Sequence, residues 1–318
     1  MTKVKTFIHG VYPRSEILAQ TTRDVERKRL SMKKLQQQLQ NDFNNLYKLQ
    51  KKYKLDYFED GKLNWQDIFR PIIESTRGFE VGPLTRWFDN NCFYRQPVIN
   101  SQLKLDEKKL AKFFPKPRTG KWKVTLLSPY SFAMLSEDTN SSFEKKLDKL
   151  TKLTADLIKY LDERGANIIQ LNEPCIPYYK ATKKEIDVFA KSLRVLKKTT
   201  KKSTLAVYFY FGDSSLAIKT LNRDNLIDIA GVDFFKTDLS SLPKKLKFDL
   251  IAGVLDGRNS LLENEETLRK FVKEIIKYLN LNVLYIANSS DLELLPEPVA
   301  RKKVELLGKM KKYFSKYE

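Results

Sequence analysis

Apolar side chains recur along this chain in two alternating rhythms. Eight short runs read as strands: "KTFIHG" (5–10), "LDYFEDG" (55–61), "KVTLLSP" (123–129), "NIIQLNEP" (167–174), "LAVYFYFGD" (205–213), "GVDFF" (231–235), "DLIAGVLDG" (249–257) and "VLYIANSS" (283–290). Several are almost continuously apolar, as parallel strands covered on both faces must be. Most close on Gly, Pro, Asp, Asn or Ser, the residues that lead a chain into a turn. Between them the period changes to that of a helix. Over 22–52 the residues Leu30, Leu35, Leu39, Phe43, Leu46 and Leu49 fall near one face, which predicts a long amphipathic helix. Phe143, Leu147, Leu150, Leu153, Leu157 and Leu161 do the same over 143–164, and 182–199, 264–280 and 297–316 follow suit. Asn264 and Pro298 suit helix starts.

Eight strands alternating with helices predict a (β/α)8 barrel, here one domain over residues 1–318 with an N-terminal helical extension. A doubly wound open sheet is the runner-up, but no GxGxxG or GxxxxGK[ST] opens any helix. One interval breaks the rhythm. Residues 62–122, after the second strand, hold Pro71, Pro83, Pro97, Pro115 and Pro117, and predict an elaborated insertion of loop and short helices. Within it "PLTRWFDNNCFYRQP" (83–97) crowds aromatic, basic and amide side chains with no clean period, and reads as loop. Insertions after a barrel strand stand at the rim where such folds build their sites.

The balance of 59 basic against 39 acidic residues, a formal charge of +20, raises nucleic acid or an acidic ligand as partner. Much of the excess lies in helical runs such as 191–202 and 301–318, where Leu and Val keep one face and lysines fill the other. Solvated helix faces explain that pattern more simply than a nucleic-acid surface, because no RRM-type, helix-turn-helix or zinc-knuckle signature accompanies it. No run approaches the roughly 18–20 apolar residues of a membrane span. The opening "MTKVKTFIHG" turns polar too soon for a signal peptide, so a cytoplasmic protein is expected. A zinc site would have to gather Cys92, Cys175, His9 and a carboxylate, residues with no metal-type spacing.

In a barrel the strand ends converge on one mouth. They carry His9, Glu59, Asp60, Ser128, Asn172, Glu173, Asp213, Lys236, Asp256, Arg258, Asn259 and Asn288 to Ser290. Paired carboxylates could do acid–base work, or could simply accept loop N–H bonds. Arg258 offers a planar fork for a carboxylate, with a salt bridge to Asp256 or Asp213 as the structural alternative.

The order of these motifs carries a resemblance. "GVYPR" (10–14), "TRWFDNNCFY" (85–94), "NIIQLNEP" (167–174), "VYFYFGD" (207–213), "AGVLDGRNS" (252–260) and "YIANSSDLELLP" (285–296) are collinear with the N-terminal half of cobalamin-independent methionine synthase. Where this chain has "TRWFDNNCFY" the family typically reads T-K-W-F-[DN]-T-N-Y-H-Y. The resemblance implies one of two facing barrels in an enzyme that moves a methyl group from methyltetrahydropteroyl-polyglutamate to homocysteine. It implies that zinc belongs to the other, C-terminal-type barrel, here a separately encoded partner, and that this chain needs no cofactor of its own. Arg86 then stands where the family has the Lys that contacts the donor's glutamate tail. Of the family's second tail-binding element, R-E-L-K after G-[FY]-P-R, only Arg14 remains clear. The expected substrate-binding residues are Arg14, Arg86, Glu173, Asp256, Arg258 and Asn259. Two other functions stay open: a stand-alone barrel that binds an anionic small molecule, and a basic nucleic-acid-binding protein.

Overall fold

A computed structural model describes residues 2–117, 119–139, 141–223 and 225–315. Ten strands run in chain order: β1 Lys3–Thr6, β2 Tyr57–Phe58, β3 Thr76–Arg86, β4 Phe93–Leu105, β5 Lys121–Leu127, β6 Ile168–Glu173, β7 Thr204–Phe209, β8 Ile229–Asp233, β9 Asp249–Leu255 and β10 Val283–Asn288. Eight of them form one sheet in the order β1-β10-β9-β8-β7-β6-β5-β2, and β3 and β4 pair separately. Neighbours in the large sheet are parallel. Its two edges meet at Asp56, whose N–H reaches the Thr6 carbonyl at 2.9 Å while its Oδ2 accepts from the Thr6 N–H at 2.8 Å. The sheet thus curls into a nearly closed (β/α)8 barrel, with all eight runs read from the sequence as its staves.

The amphipathic pattern places the outer helices as expected. Phe143–Glu163 starts at Ser142, whose hydroxyl accepts from the Lys145 N–H, and buries Leu147, Leu150, Leu153, Leu157 and Leu161. Lys183–Thr199 opens on a capping box between Thr182 and Glu185, and Glu265–Tyr278 on the Asn264 side chain. Each buried leucine is worth roughly 1.5–3 kcal/mol, so these stripes fasten helix to barrel.

Two expectations need correcting. The helix expected over 22–52 is two helices, Glu16–Glu26 and Met32–Lys52, broken where Lys28 takes a left-handed φ of 58°. Leu30 lies in the break and is exposed, so it never joins the apolar stripe. Both helices lie between β1 and β2, so the N-terminal helical extension forms the first crossover of the barrel. The second correction concerns 83–97. Most of it belongs to the long antiparallel hairpin β3–β4, with only the tip 87–92 outside the strands. Register shifts between Arg77 and Phe79 and between Val81 and Leu84 displace the two-residue alternation, and both strands expose many side chains. That combination hides a strand from any periodicity argument. The hairpin is fixed at its flank, where Ile99 N–H and the Glu137 carbonyl, and Glu137 N–H and the Pro97 carbonyl, pair at 2.8 Å.

Candidate functional site

The barrel axis is polar and tightly wired. Gly231 and Gly253, on β8 and β9, leave room for the Tyr208 ring: a Cβ at either would come within 2.1 Å of its atoms. His9, just past β1, stacks on that ring at 4.2 Å between centroids. Its N–H donates to Asn288 Oδ1 at 2.8 Å and its carbonyl accepts from Asn288 Nδ2 at 2.7 Å. The Gln170 amide pairs with His9 Nδ1 at 2.8 Å and donates to Asn172 Oδ1 at 2.7 Å. Burial, then Lys123 and Lys62, hold the ring well below its ordinary range. Lys123 Nζ donates to Glu59 Oε2 at 2.5 Å and to Thr125 Oγ1 at 2.9 Å, and Lys62 Nζ stands 3.8 Å from Glu59 Oε1 and 4.3 Å over Trp65. These three charges are fully enclosed.

Glu173, expected at the rim as a ligand-binding acid, is buried at the end of β6. The hydroxyls of Ser128 and Ser131 and the N–H groups of Ser131 (3.2 Å) and Ile176 (3.0 Å) all donate to its carboxylate. Burial nevertheless pushes it up to about 7, with the hydrogen bonds pulling the other way. A carboxyl raised above its unfolded value of roughly 4.3 stabilises the fold below that value and loses the contribution as pH rises through about 7. Glu173→Gln, which cannot ionise, is therefore expected to gain on wild type by about 2 kcal/mol between pH 5 and pH 8. Urea unfolding of both proteins at the two pH values checks this. A constant difference would mean that Glu173 is ionised throughout.

A cleft of about 220 Å³ opens at the rim, between the hairpin and the segment that follows β10. Trp65, Trp87, Phe93 and Tyr94 wall it, with Val11, Cys92, Asp67, Asp291 and Glu293 among the rest of its lining. Such a volume holds one ring or a short chain, not a whole cofactor. Asp291 Oδ1 accepts from the Val11 N–H at 2.8 Å. That contact requires glycine beside it: Gly10 has φ 76°, and a Cβ there would lie 1.9 Å from the same oxygen. Burial raises Asp291 to about 6, with Glu59 adding to it. Glu293 is pushed up to about 8 by burial and then by Asp291, against the pull of Arg14. Over a third of Glu293 still faces the opening, and water there moderates the effect.

The other expected site residues divide into two groups. Arg86 ends β3 beside the hairpin tip, exposed, with its guanidinium 5.8 Å over the Phe93 ring. Arg258 reaches the same tip, where its Nη2 donates to Asp89 Oδ2 at 3.1 Å. Neither Asp256 nor Asp213 is that partner. Asp256 Oδ1 accepts from the Arg258 N–H at 2.9 Å, and Asn259 Oδ1 accepts from the Leu261 N–H at 3.0 Å, so both shape their own turn. Arg14 stands apart. Its fork donates to the carbonyls of Leu63 (3.0 Å from Nε) and Trp65, which pins the loop after β2. Asp291 and Glu293 went unread as site residues, although they follow the last strand by three and five positions.

The described residues do not gather into a zinc site. Cys175 is buried beside Ser131 and Glu173, and Cys92 is half-buried on the hairpin tip. Among the described residues no group of three or more His, Cys, Asp or Glu is placed to hold a metal. None of their helices is long and apolar enough to cross a membrane.

Comparison with known proteins supports the motif reading. A methionine synthase of Saccharolobus solfataricus is 27% identical over 310 residues, spanning 94% of this chain and 91% of that protein. One from Sulfurisphaera tokodaii is 24% identical, spanning 94% and 89%. Among solved structures, a B12-independent methionine synthase from a Shewanella species, in complex with selenomethionine, superposes with a TM-score of 0.78. It is 18% identical, and the match covers 98% of both chains. A putative vitamin-B12 independent methionine synthase from Listeria monocytogenes gives 0.76 at 13% identity, over 98% of this chain and 99% of that one. These two likenesses carry the fold. The family described as cobalamin-independent synthase, N-terminal domain, matches residues 49–280. The chain therefore belongs to the cobalamin-independent methionine synthase family, as a barrel of its N-terminal-domain type.

Proposed function

We propose that this chain is the non-zinc barrel of a divided methionine synthase, docking mouth to mouth with a separately encoded barrel that holds zinc and homocysteine. The observation that carries this reading is the distribution of exposed apolar side chains. Among the described residues, Met134, Tyr179, Leu216, Phe235, Leu261 and Leu262 stand on the segments that follow β5, β6, β7, β8 and β9, and Val81, Leu84 and Phe93 on the hairpin, whereas Ile17, Leu30, Met32 and Val195 lie on outer helices or at the helix break. Among the described residues, no large exposed apolar side chain lies on the loops that lead into the strands. Exposed apolar side chains on the loops and helices that follow the strands favour a surface that a partner covers. The curated relatives are themselves matched over nine-tenths of their length, which supports a synthase made of single-barrel chains.

In this reading the zinc supplies a homocysteine thiolate at neutral pH, on the partner. The present chain contributes position. Arg86 presents a charge-assisted donor to an anionic group of a methyl-pterin, holding one end of the donor so that the other meets the thiolate. The cleft between hairpin and β10 gives that donor a second contact, on the rings of Trp65, Trp87, Phe93 and Tyr94.

The interface is tested by mixing this chain with the zinc-type barrel encoded in the same genome and measuring association by calorimetry. Leu261 is 74% and Leu262 46% exposed. Replacing both with aspartate is expected to weaken association about tenfold or more and to leave the melting temperature unchanged. Unaltered association would remove the mouth from the interface.

A further inference from the structure

Two bulky residues at the mouth hold backbone conformations that favour glycine: Phe88 at φ 52° and Phe211 at φ 72°. Their rings meet at 5.3 Å between centroids. Beside them Asp89 and Arg258 form the 3.1 Å ion pair, and the Arg258 guanidinium lies 5.3 Å from the Phe211 ring. Three separate segments, the hairpin tip and the loops after β7 and β9, are therefore tied at one point. The same tip lends Trp87 and Cys92 to the wall of the cleft.

We propose that the Phe88–Phe211 contact and the Asp89–Arg258 pair form a latch, which holds the tip Trp87–Cys92 over the cleft and opens when an anion takes Arg258 from Asp89. The physical case is a balance of opposing terms. Of the two phenylalanines in left-handed backbone, Phe88 belongs to the tip, so release of the tip relaxes its strain. The ion pair that opposes release is 28% exposed on the arginine side and 54% on the aspartate side. Water and salt keep such a pair weak, and a competing carboxylate or phosphate can exchange with Asp89. Strain at Phe88 and an exchangeable ion pair act against the packing of Phe88 on Tyr178 at 4.7 Å and on Trp87, so an anion that removes the pair shifts the balance toward the open form. Opening would unseat Trp87, which packs on Phe69 and Tyr94, and so widen the cleft. The anion trigger rests on the proposed donor-binding role, whereas the latch is a property of the free chain.

Cys92 reports the motion, since it is half-buried on the tip, while buried Cys175 reports unfolding. Native-state labelling with a maleimide should be slow at Cys92 in wild type. It should quicken roughly threefold to fivefold in Arg258→Ala and in Asp89→Asn, the factor an exposed ion pair can hold back. The exchanged pair, Asp89→Arg with Arg258→Asp, should be slow again. Inorganic phosphate should quicken wild type in a saturable way and leave Arg258→Ala unchanged. Equal rates in wild type and both single variants would overturn the latch. So would acceleration that Cys175 shares, or that the exchanged pair keeps. A phosphate response absent from wild type would overturn the trigger alone. None of these results depends on whether a zinc barrel binds the chain, so failure here and failure of the proposed function remain distinct.

Discussion

Lys123→Met is expected to lower folding stability by about 3–5 kcal/mol, the cost of leaving a buried charge without its partner. Lys123 sits at 0% exposure inside the barrel, with its ammonium on Glu59 and Thr125 and 4.9 Å over the Phe7 ring. Methionine matches its length but removes the charge, so Glu59 keeps only Lys62, 3.8 Å from its other oxygen. The obvious repair is expected to work only in part. Adding Glu59→Gln neutralises the acid that has lost its nearer partner, yet it removes the carboxylate paired with Lys62 and leaves Asp60 as the acid close to it in the same enclosed space. Guanidinium unfolding at pH 7 checks both, read as a shift in midpoint at constant slope. A loss below about 1 kcal/mol for the single variant would place the Glu59–Lys123 pair in contact with water and undo the account of the barrel interior.

Arg86→Ala is expected to weaken binding of a methyl-pterin donor to the assembled pair by about 10- to 100-fold, the worth of a charge-assisted bond in a partly covered cleft. Arg86→Lys should retain much of the affinity, because a single ammonium still meets a carboxylate. Stability should hardly change. Arg86 is exposed, its contact in the free chain is the face of Phe93, and no ion pair to it is found among the described residues. A purely structural role forecasts the reverse, a lower melting temperature with unaltered affinity in the folded variant. Calorimetric titration of wild type and both variants, with parallel melts, separates the two.

Much of this architecture was legible in the sequence for one reason. Strands such as Ile168–Glu173 and Thr204–Phe209 are almost wholly buried, so their apolar runs stand out. Helix starts were legible where a side chain caps, as at Asn264. The hairpin escaped because its strands are largely exposed and its bulges interrupt the alternation. The helix break escaped because a lysine in left-handed backbone leaves no sequence trace. At the site, the residue types were readable but their partners were not. The sequence offers Arg258 the carboxylates of Asp256 and Asp213 at other strand ends, whereas its partner, Asp89, lies 169 positions away on the hairpin. Arg14 was read as an anion-binding cation, and its fork is turned to two backbone carbonyls instead. Glu173 was read as a rim group, but Ser128 and Ser131, one turn apart in "SPYSF", fold over it. Long-range pairing of this kind is decided by topology, which periodicity does not encode.

The proposed division of labour is tested most directly by the rate of methyl transfer from methyltetrahydropteroyl-polyglutamate to homocysteine, catalysed by the zinc-type barrel with and without this chain. The present chain alone should give no product, with or without added zinc. Added to its partner, it should raise kcat/KM for the donor, and the gain should shrink in Arg86→Ala. A partner that uses the donor equally well without this chain, or a chain that methylates homocysteine unaided, would contradict the account.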